Sequence, residues 1–442
     1  MVNGQWSMVN VQCSFRQIMR IRFKLLCFIC ISALTVTLAI AKVNISPYSF
    51  LGSSIEITRS QLWAMAHQHQ LGASLLDLKS RSKNQTIASQ TTTAEANLER
   101  SRVIPYGFPL GWYDSVDYLD TPAKIADEGI NASIPYTGNS NSEKVRAYLD
   151  KAAAAGLKVV VEIPRDAVKT KRTEQVIQFV RDLKSHPATL GWYLYDEPKP
   201  TTITPAALKQ MYQAIKAEDP KHTIAIAFNR LFRIPQYFEA FDVAMYDKYP
   251  VFYDEPEFAG FYNNTFKKLV DTAVSLTQDG KDFWYIVQGY GENKDGKPKY
   301  NRRLPTMAEE RYMVYCTILA RVDGLFFWAH YVSQQQWIDS VLTPIIKELQ
   351  NYLPAITQEA LDKKLAIDNS AIQAKIYQDP DTQDLLLIAI NHSDRKLTTA
   401  IALKDIEAKS AQFVAEDRSI DLAQKTLSDT FEPYAVHIYQ LK

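Results

Sequence analysis

The chain has 442 residues, enough for roughly two or three domains, and its 50 Lys and Arg residues nearly balance its 49 Asp and Glu residues. No long run of like charge occurs, so the sequence lacks the electrostatic footprint of a DNA- or RNA-binding protein, and we expect no nucleic-acid partner. Aromatic residues are numerous, with 24 Tyr, 19 Phe and 7 Trp, and they can serve either a core or the stacking of a flat ligand.

Residues 1–41 have the layout of an export signal. Basic residues at positions 16, 20, 22 and 24 precede an uncharged apolar stretch over residues 25–41, which ends on small residues at 39 and 41. This order is typical of a cleaved signal peptide, and we expect cleavage after Ala41. The same stretch, at about 17 residues, approaches the length of a membrane-spanning helix, so an uncleaved anchor is the alternative. Either way, the sequence predicts an exported protein that is periplasmic, extracellular or held at the cell surface.

Residues 42–102 are polar and lack a sustained apolar period, so we expect a linker or a loosely ordered arm. Three of the four cysteines precede this arm, which leaves Cys316 alone in the remainder of the chain and argues against a disulfide framework. Cys316 lies in an apolar, helix-like stretch, and we expect it to be buried. No metal-binding cluster and no phosphate-binding glycine loop is visible, so the sequence predicts neither a metal nor a cofactor.

From residue 103 to residue 354, short apolar or β-branched runs alternate with helix-like stretches. Eight runs are predicted as strands: Val103–Trp112, Asn131–Tyr136, Lys158–Pro164, Leu190–Asp196, Thr223–Phe228, Val243–Tyr249, Phe283–Gly289 and Gly324–His330. The intervening stretches carry helix signals, such as Thr204 before Pro205 at a helix start and Gly156 after a helix end. Eight such units in about 250 residues predict an α/β fold, the (β/α)8 TIM barrel, whose weakest helix is Pro235–Phe241.

After residue 354 the pattern changes to short strands separated by turn residues. The predicted strands are Ile372–Tyr377, Leu385–Asn391, Thr398–Leu403, Ala411–Val414 and Tyr434–Leu441. Because no long helix interrupts them, we expect residues 355–442 to form a small antiparallel β-sandwich.

Polar and aromatic residues end the predicted barrel strands. They are Tyr113, Asp114, Tyr136, Glu162, Asp196, Glu197, Asn229, Arg230, Asp247, Tyr249, Gln288, Tyr290, Trp328 and His330. Active groups of this fold lie at the carboxyl ends of the strands, so these side chains are expected to converge on one cleft. Tyrosine, tryptophan, carboxylate and amide groups together favour a cleft that binds carbohydrate.

The fourth predicted strand ends in Tyr195-Asp196-Glu197-Pro198. In this motif the chain resembles the clan A barrel glycoside hydrolases, in which a fourth-strand Asn-Glu, often followed by Pro, supplies the acid/base. Trp328 resembles the eighth-strand tryptophan that forms the floor of the sugar subsite in these enzymes, and a β-sandwich after the barrel is common in them. The resemblance covers roughly residues 103–442. It implies that Glu197 is the general acid/base and that the partner of the protein is a carbohydrate.

Two positions depart from the pattern of that clan. Asp196 stands where the clan has Asn, and Gln288 stands where the nucleophilic Glu should end the seventh strand. A glutamine amide cannot form a glycosyl ester, so a second catalytic carboxylate has to come from elsewhere. Glu292, Asp247 and Asp196 are the candidates, with Glu162 behind them. An ion pair is the alternative for Asp247, and a solvated loop position is the alternative for Glu292.

Several further residues are candidates for binding the substrate. They are Trp112, Asp196, Tyr249, Gln288, Tyr290, Trp328 and His330. For the aromatic members, plain core packing is the alternative. Adjacent Asp196 and Glu197 would point to opposite faces if the strand continued, so we expect them to serve different subsites.

The sequence therefore favours an exported glycoside hydrolase-like protein that cleaves O-glycosidic bonds of a poly- or oligosaccharide, with Glu197 as general acid/base. The alternative, motivated by Gln288, is a glycosidase-like barrel that binds a glycan without cleaving it. The sequence makes no prediction of the oligomeric state.

Overall fold

The computed structural model describes residues 107–277, 280–292, 297–361, 364–414, 416 and 418–442. The predicted export segment at residues 1–41 and the predicted arm at residues 42–102 lie outside the described residues. Among the helices that are described, none is both long enough and apolar enough to cross a membrane.

Eight parallel strands form a closed barrel in which each strand pairs with its neighbours in chain order. The strands are Leu110–Ser115 (β1), Ala132–Tyr136 (β2), Lys158–Glu162 (β3), Thr189–Asp196 (β4), Thr223–Phe228 (β5), Val243–Asp247 (β6), Asp282–Gln288 (β7) and Gly324–Trp328 (β8). Pairing of β1 with β8 closes the barrel. The predicted (β/α)8 barrel is confirmed. Its first strand begins later than predicted, directly after Pro109, which has no N–H to donate to a ladder.

Helices alternate with these strands along the chain. Their bounds are Thr121–Asp127 (α1), Ser142–Ala154 (α2), Arg165–Lys169 (α3), Thr173–Leu183 (α4), Pro205–Glu218 (α5), Thr265–Ser275 (α6), Met307–Leu319 (α7) and Thr343–Ile356 (α8), with a short helical segment at Gln335–Trp337. After β5 the connection contains only 3₁₀ turns, at Leu231–Arg233 and Pro235–Ala240. This agrees with the weak helix signal in that part of the sequence.

The helix boundaries follow the predicted capping residues. The Thr204 hydroxyl accepts a hydrogen bond from the Ala207 backbone N–H at 3.3 Å, and Pro205 occupies the first position of α5. Gly156, with φ of 76°, follows the end of α2 in the left-handed region that favours glycine. Cys316 is free and buried in α7, as its apolar surroundings predicted.

Side chains of the barrel strands alternate between two apolar clusters. One set belongs to the cluster inside the barrel, which includes Tyr113, Tyr193 and Trp284. The other set, which includes Trp112 and Trp192, packs between the strands and the helices. This alternation decides which residues near the strand ends can face a cleft at the mouth of the barrel.

Residues beyond α8 form two antiparallel sheets. The strands are Leu365–Ile367 (β9), Ile372–Gln378 (β10), Leu385–Asn391 (β11), Leu397–Leu403 (β12), Ser410–Phe413 (β13), Arg418–Asp421 (β14), Thr426–Phe431 (β15) and Val436–Leu441 (β16). One sheet has the order β10-β11-β16-β13-β14 and the other the order β15-β12-β9. Leu387 of the first sheet and Leu427 of the second share one apolar cluster, which confirms the predicted β-sandwich.

Helix α7 joins the barrel to the sandwich. The Tyr312 hydroxyl lies 2.9 Å from Nδ1 of His392, and the Arg311 guanidinium donates to the Val436 carbonyl. Burial lowers the pKa of His392 to about 3, so its imidazole is neutral in this contact at ordinary pH. The two parts of the described chain therefore share a specific polar and aromatic interface.

Candidate active site

Two adjoining cavities open at the carboxyl ends of the barrel strands. The smaller one, which we call the reactive pocket, has a volume of about 160 Å³ and is lined by Tyr113, Tyr136, Asp196, Glu197, Asp247, Tyr249, Ile286, Tyr290, Tyr300 and Trp328. The larger one, which we call the outer pocket, has a volume of about 370 Å³ and is lined by Tyr136, Gly138, Asn139, Glu162, Arg165, Asp166, Asp196, Trp328 and Tyr331. Three residues line both cavities, so the two are neighbours, and we call them together the cleft.

The end of β4 turns two successive carboxylates into this cleft. The register of β4 against β5 shifts between Tyr193 and Tyr195, so one extra residue enters the strand and the alternation of side chains is reversed. Asp196 consequently returns to the barrel interior, where its Oδ1 accepts a hydrogen bond of 2.8 Å from the Tyr193 hydroxyl. Without the shift, Asp196 would point towards the helices.

Glu197 follows directly in a left-handed conformation, with φ of 49°. This region is uncommon for a residue other than glycine, and such residues are concentrated at functional sites. The backbone N–H of Glu197 donates to the Ala227 carbonyl at 3.0 Å, and the Asn229 amide donates to its Oε2. Asp196 and Glu197 therefore both line the reactive pocket, whereas an uninterrupted strand would have separated them.

Asp247 ends β6 and forms a carboxyl–carboxyl hydrogen bond with Glu197. Burial, together with the charge of Glu197, holds the pKa of Asp247 well above its ordinary value. Burial and the charge of Asp196 also raise the pKa of Glu197. Among the described residues, no ion pair joins Asp247 to Lys248 or Arg230, the structural alternative considered for it. These raised pKa values favour a state in which the carboxyl groups of Asp247 and Glu197 hold one proton between them.

Arg165 holds Asp196 on the wall that the two pockets share. Its Nη2 lies 2.9 Å from Oδ2 of Asp196 and 3.6 Å from Oε1 of Glu162. Glu162 is itself anchored, because its Oε2 accepts the backbone N–H of Thr137 at 2.7 Å. The Asp196 side chain is thus held in a fixed position beside the reactive pair.

An aromatic cluster closes the reactive pocket on the side of β7 and β8. The Trp328 ring stacks on Tyr249 at 6.0 Å between centroids and meets Tyr290 edge-on at 4.6 Å. Its indole N–H donates to the Tyr136 hydroxyl at 3.0 Å. Trp328 is half-buried, so part of its ring remains available to a ligand. Three of the predicted substrate-binding residues are therefore brought together here.

Trp112 and His330 lie elsewhere. Trp112 is fully buried, and its indole N–H donates to Oε2 of Glu128 at 3.0 Å. The ring of His330 contacts Trp112 edge-on at 5.5 Å, and its Nε2 lies 3.0 Å from Oε1 of Glu128. Neither residue lines the cleft, because Trp112 points outward from the barrel and His330 packs against it.

Gln288 is fully buried and is bound to the backbone of neighbouring loops. Its Oε1 accepts the N–H of Val251 at 2.9 Å, and its Nε2 donates to the carbonyls of Val251, Tyr290 and Arg303 at 3.0 to 3.1 Å. These contacts use the whole amide to join the loop after β6 to the loop after β7. The structure therefore places Gln288 in the framework beneath the pocket.

Glu292 also stays apart from the carboxyl pair. Its Oε2 accepts the backbone N–H of Leu304 at 3.3 Å, and it lines neither cavity. Of the candidates for a second carboxylate, the structure brings Asp247 and Asp196 into the reactive pocket with Glu197 and leaves Glu292 in its loop.

Three residues in or next to the cleft were identified in the sequence only as strand ends and were given no individual role. Asn229 is the first residue after β5, Tyr136 is the last residue of β2, and Tyr113 faces the barrel interior beside the outward-facing Trp112. The positions of Asn229 and Tyr136 at strand ends were visible in the sequence. Strict alternation along β1 would also have selected Tyr113 instead of Trp112.

Comparisons with known proteins identify relatives by fold. No protein-family model matches the chain, and no curated protein matches it significantly by sequence. Many solved structures match, among them a glycoside hydrolase family 5 protein from Bacteroides vulgatus, with 14% identity over 76% of this chain and 90% of that chain and a TM-score of 0.55.

Two further structures show the same likeness. A Bacteroides fragilis protein described as an α-galactosidase/melibiase matches with 11% identity over 76% of this chain and 79% of its own, at a TM-score of 0.52. AmyP, solved in complex with maltose, matches with 9% identity over 78% of this chain and 98% of its own, at a TM-score of 0.50. At such identities the likeness concerns the fold, and in the fold the predicted resemblance to barrel glycoside hydrolases is confirmed.

Proposed function

We propose that the protein is a glycoside hydrolase whose reactive groups are Glu197 and Asp247. The observation that carries this proposal is the hydrogen-bonded carboxyl pair, supplied by the ends of β4 and β6, at the floor of an aromatic pocket. Hydrolysis of a glycosidic bond needs one carboxylic acid and one carboxylate on either side of that bond. A pair that shares one proton supplies both forms at once.

The environments of the two carboxyl groups assign the two forms. Asp247 is the more strongly perturbed, its Oδ1 is withdrawn from solvent with no partner among the described atoms, and its pKa is held well above its ordinary value by burial and by the charge of Glu197. The Glu197 carboxylate is stabilised by the Asn229 amide and by the hydrogen bond from Asp247. Asp247 is accordingly the proton donor and Glu197 the carboxylate, the reverse of the role that the sequence suggested for Glu197.

In the proposed reaction, Asp247 gives its proton to the glycosidic oxygen as the bond to the anomeric carbon breaks. The Glu197 carboxylate bonds to that carbon, and the leaving alcohol departs. Asp247, now ionised, removes a proton from water, which attacks the same carbon and frees Glu197. The proximity of the two carboxyl groups, which shift each other's pKa, favours this two-step course over single displacement, which requires a wider spacing of about 6.5–9.5 Å. The pair has to separate to about 5–5.5 Å when a sugar enters.

Activity on a panel of glycosides tests the proposal. The parent should hydrolyse at least one member, while Glu197→Gln and Asp247→Asn should each lose at least a hundredfold in turnover on it. Glu239→Gln is a matched control, because Glu239 is an exposed carboxylate paired with Lys209 outside the cleft. Binding of a glycan by the parent without any turnover would reject hydrolysis and support the glycan-binding alternative.

We also propose that the protein is exported, on the basis of the basic region and the apolar stretch in residues 1–41. Expression of the full chain in a bacterial host followed by fractionation and amino-terminal sequencing tests this. A product that begins at Lys42 outside the cytoplasm supports cleavage, and an intact membrane-bound product supports the anchor. A cytoplasmic product with an intact amino terminus would refute export.

A further inference from the structure

The outer pocket adjoins the reactive pocket across a shared wall. Tyr136, Asp196 and Trp328 line both cavities, so the two cavities lie next to each other around these three residues. The outer pocket, at about 370 Å³, is more than twice the volume of the reactive pocket, at about 160 Å³. There is room for ligand beyond the unit that reaches the carboxyl pair.

One side of the outer pocket is aromatic. Tyr331, which follows β8, is half-buried and stacks on the exposed Tyr118 with 6.0 Å between centroids and 23° between ring planes. The stacked partner fixes the orientation of the Tyr331 ring before any ligand arrives. A fixed aromatic ring at the edge of a cavity provides a flat apolar surface at low cost in conformational entropy.

Another part of the lining is polar and partly exposed. The Arg165 side chain is 43% exposed while it remains paired with Asp196 and Glu162. The exposed Asn139 donates to Oδ2 of Asp166 at 2.9 Å. The lining therefore offers both donors and acceptors to hydroxyl groups, in addition to the aromatic ring.

The charge of the outer pocket excludes one class of ligand. Three carboxylates, of Glu162, Asp166 and Asp196, line it together with the single guanidinium of Arg165. Two of these carboxylates already share Nη2 of that guanidinium, so the three carboxylates outnumber the single cation of the lining. A sugar that carries a carboxylate would meet net repulsion there.

We propose that the outer pocket is a second sugar subsite, which binds an uncharged monosaccharide unit next to the unit held over Glu197 and Asp247. The substrate is accordingly a neutral oligosaccharide or polysaccharide of at least two units. That this ligand is a substrate rests on the proposed hydrolase function. The binding of two adjacent units does not depend on turnover.

Kinetics with substrates of two lengths test the second subsite. The probes are the 4-nitrophenyl monoglycosides of glucose and mannose, in both anomeric forms, and the trisaccharides maltotriose, cellotriose and mannotriose. For the sugar that the parent hydrolyses, Tyr331→Ala and Asn139→Ala should lower the ratio of kcat/KM for the trisaccharide to that for the monoglycoside about tenfold, through KM. Tyr262→Ala is the matched control, because Tyr262 is 59% exposed and lies outside both cavities, and it should leave the ratio at the parental value.

Binding measurements separate the subsite from the chemistry. Calorimetric titration of the parent and of Tyr331→Ala with the same trisaccharides should show about tenfold weaker binding by the variant, even if the parent hydrolyses nothing. Trigalacturonate, an anionic trisaccharide, should bind the parent more weakly than every neutral trisaccharide that binds. An unchanged ratio and unchanged affinity in Tyr331→Ala, or a preference for trigalacturonate, would overturn the second subsite. If the parent binds a trisaccharide but hydrolyses none of the substrates, only the proposed hydrolase function is overturned.

Discussion

Asp247→Asn removes the proton that the proposed mechanism delivers to the leaving group. Asparagine has nearly the same shape and can still donate to the Glu197 carboxylate, so the reactive pocket should keep its form. Loss of a general acid costs about 10²–10⁴-fold in rate. A leaving group such as 2,4-dinitrophenolate needs no protonation, so the loss of glycosylation rate on that substrate should be much smaller than on an unactivated oligosaccharide.

The pH dependence provides a second measure of the same change. The parent should show a bell-shaped profile, because activity requires Glu197 ionised and Asp247 protonated. Burial raises the pKa of both groups, so the acidic limb should lie above the ordinary glutamate value and the basic limb should be shifted further upward. In Asp247→Asn the basic limb should disappear, because the group that loses its proton there is gone.

Steady-state kcat/KM for both substrates between pH 4 and pH 9 is the assay, with circular dichroism as the check that the variant is folded. Equal losses on the activated and the unactivated substrate would refute Asp247 as proton donor. A basic limb that survives the substitution would do the same. Addition of azide to Glu197→Ala should restore turnover and yield a glycosyl azide if Glu197 is the nucleophile, and its failure to do so would remove that role.

Three further predictions concern the framework around the pocket. Gln288→Glu should not add activity and should lower the free energy of unfolding by about 3 kcal/mol, because a carboxylate would face three carbonyl oxygens in a buried site. Urea denaturation measures this loss, and a stable, more active variant would contradict the prediction. Asp114→Asn should leave the free energy of unfolding unchanged near pH 4 and raise it by about 3 kcal/mol above pH 6. Burial raises the pKa of Asp114 to about 6, so the parent loses the stability that the bound proton provides as the pH rises through that value, whereas the variant does not. An equal shift of Tm at pH 4 and pH 8 would argue against this. Glu310→Gln should raise Tm at neutral pH and have little effect near pH 4. Burial raises the pKa of Glu310, and neither of its carboxyl oxygens has a hydrogen-bond partner among the described atoms. Scanning calorimetry at the two pH values measures the effect, and the absence of a gain at neutral pH would contradict the prediction.

The barrel could be predicted because its signals are local and repeated. Each strand is a short apolar run, and helices begin and end at residues such as Thr204 and Gly156, whose preferences follow from backbone geometry. The sandwich was harder to predict at its edges. Strand β14, with the sequence Arg-Ser-Ile-Asp, has no buried residue, so no apolar alternation marks it.

The candidate site was predictable only in part, because position at a strand end does not fix the direction of a side chain. Glu197, Asp247 and Trp328 do meet in the reactive pocket, as the strand-end rule indicated. Trp112 lies one residue out of phase with Tyr113 and is therefore turned towards the helices. The shift within β4 that aims Asp196 inward depends on pairing with β5, a tertiary contact that a single sequence does not display.

The buried amide of Gln288 has a consequence for judging other barrels of this shape. In this chain the end of β7 braces two loops, while the charged groups of the pocket come from β4 and β6. A search that scores such barrels as inactive whenever the seventh strand lacks an acidic residue would reject this chain because of Gln288, a residue that connects two loops. Screening for any two carboxyl groups that face each other across the barrel mouth, whichever strands bear them, would retain it.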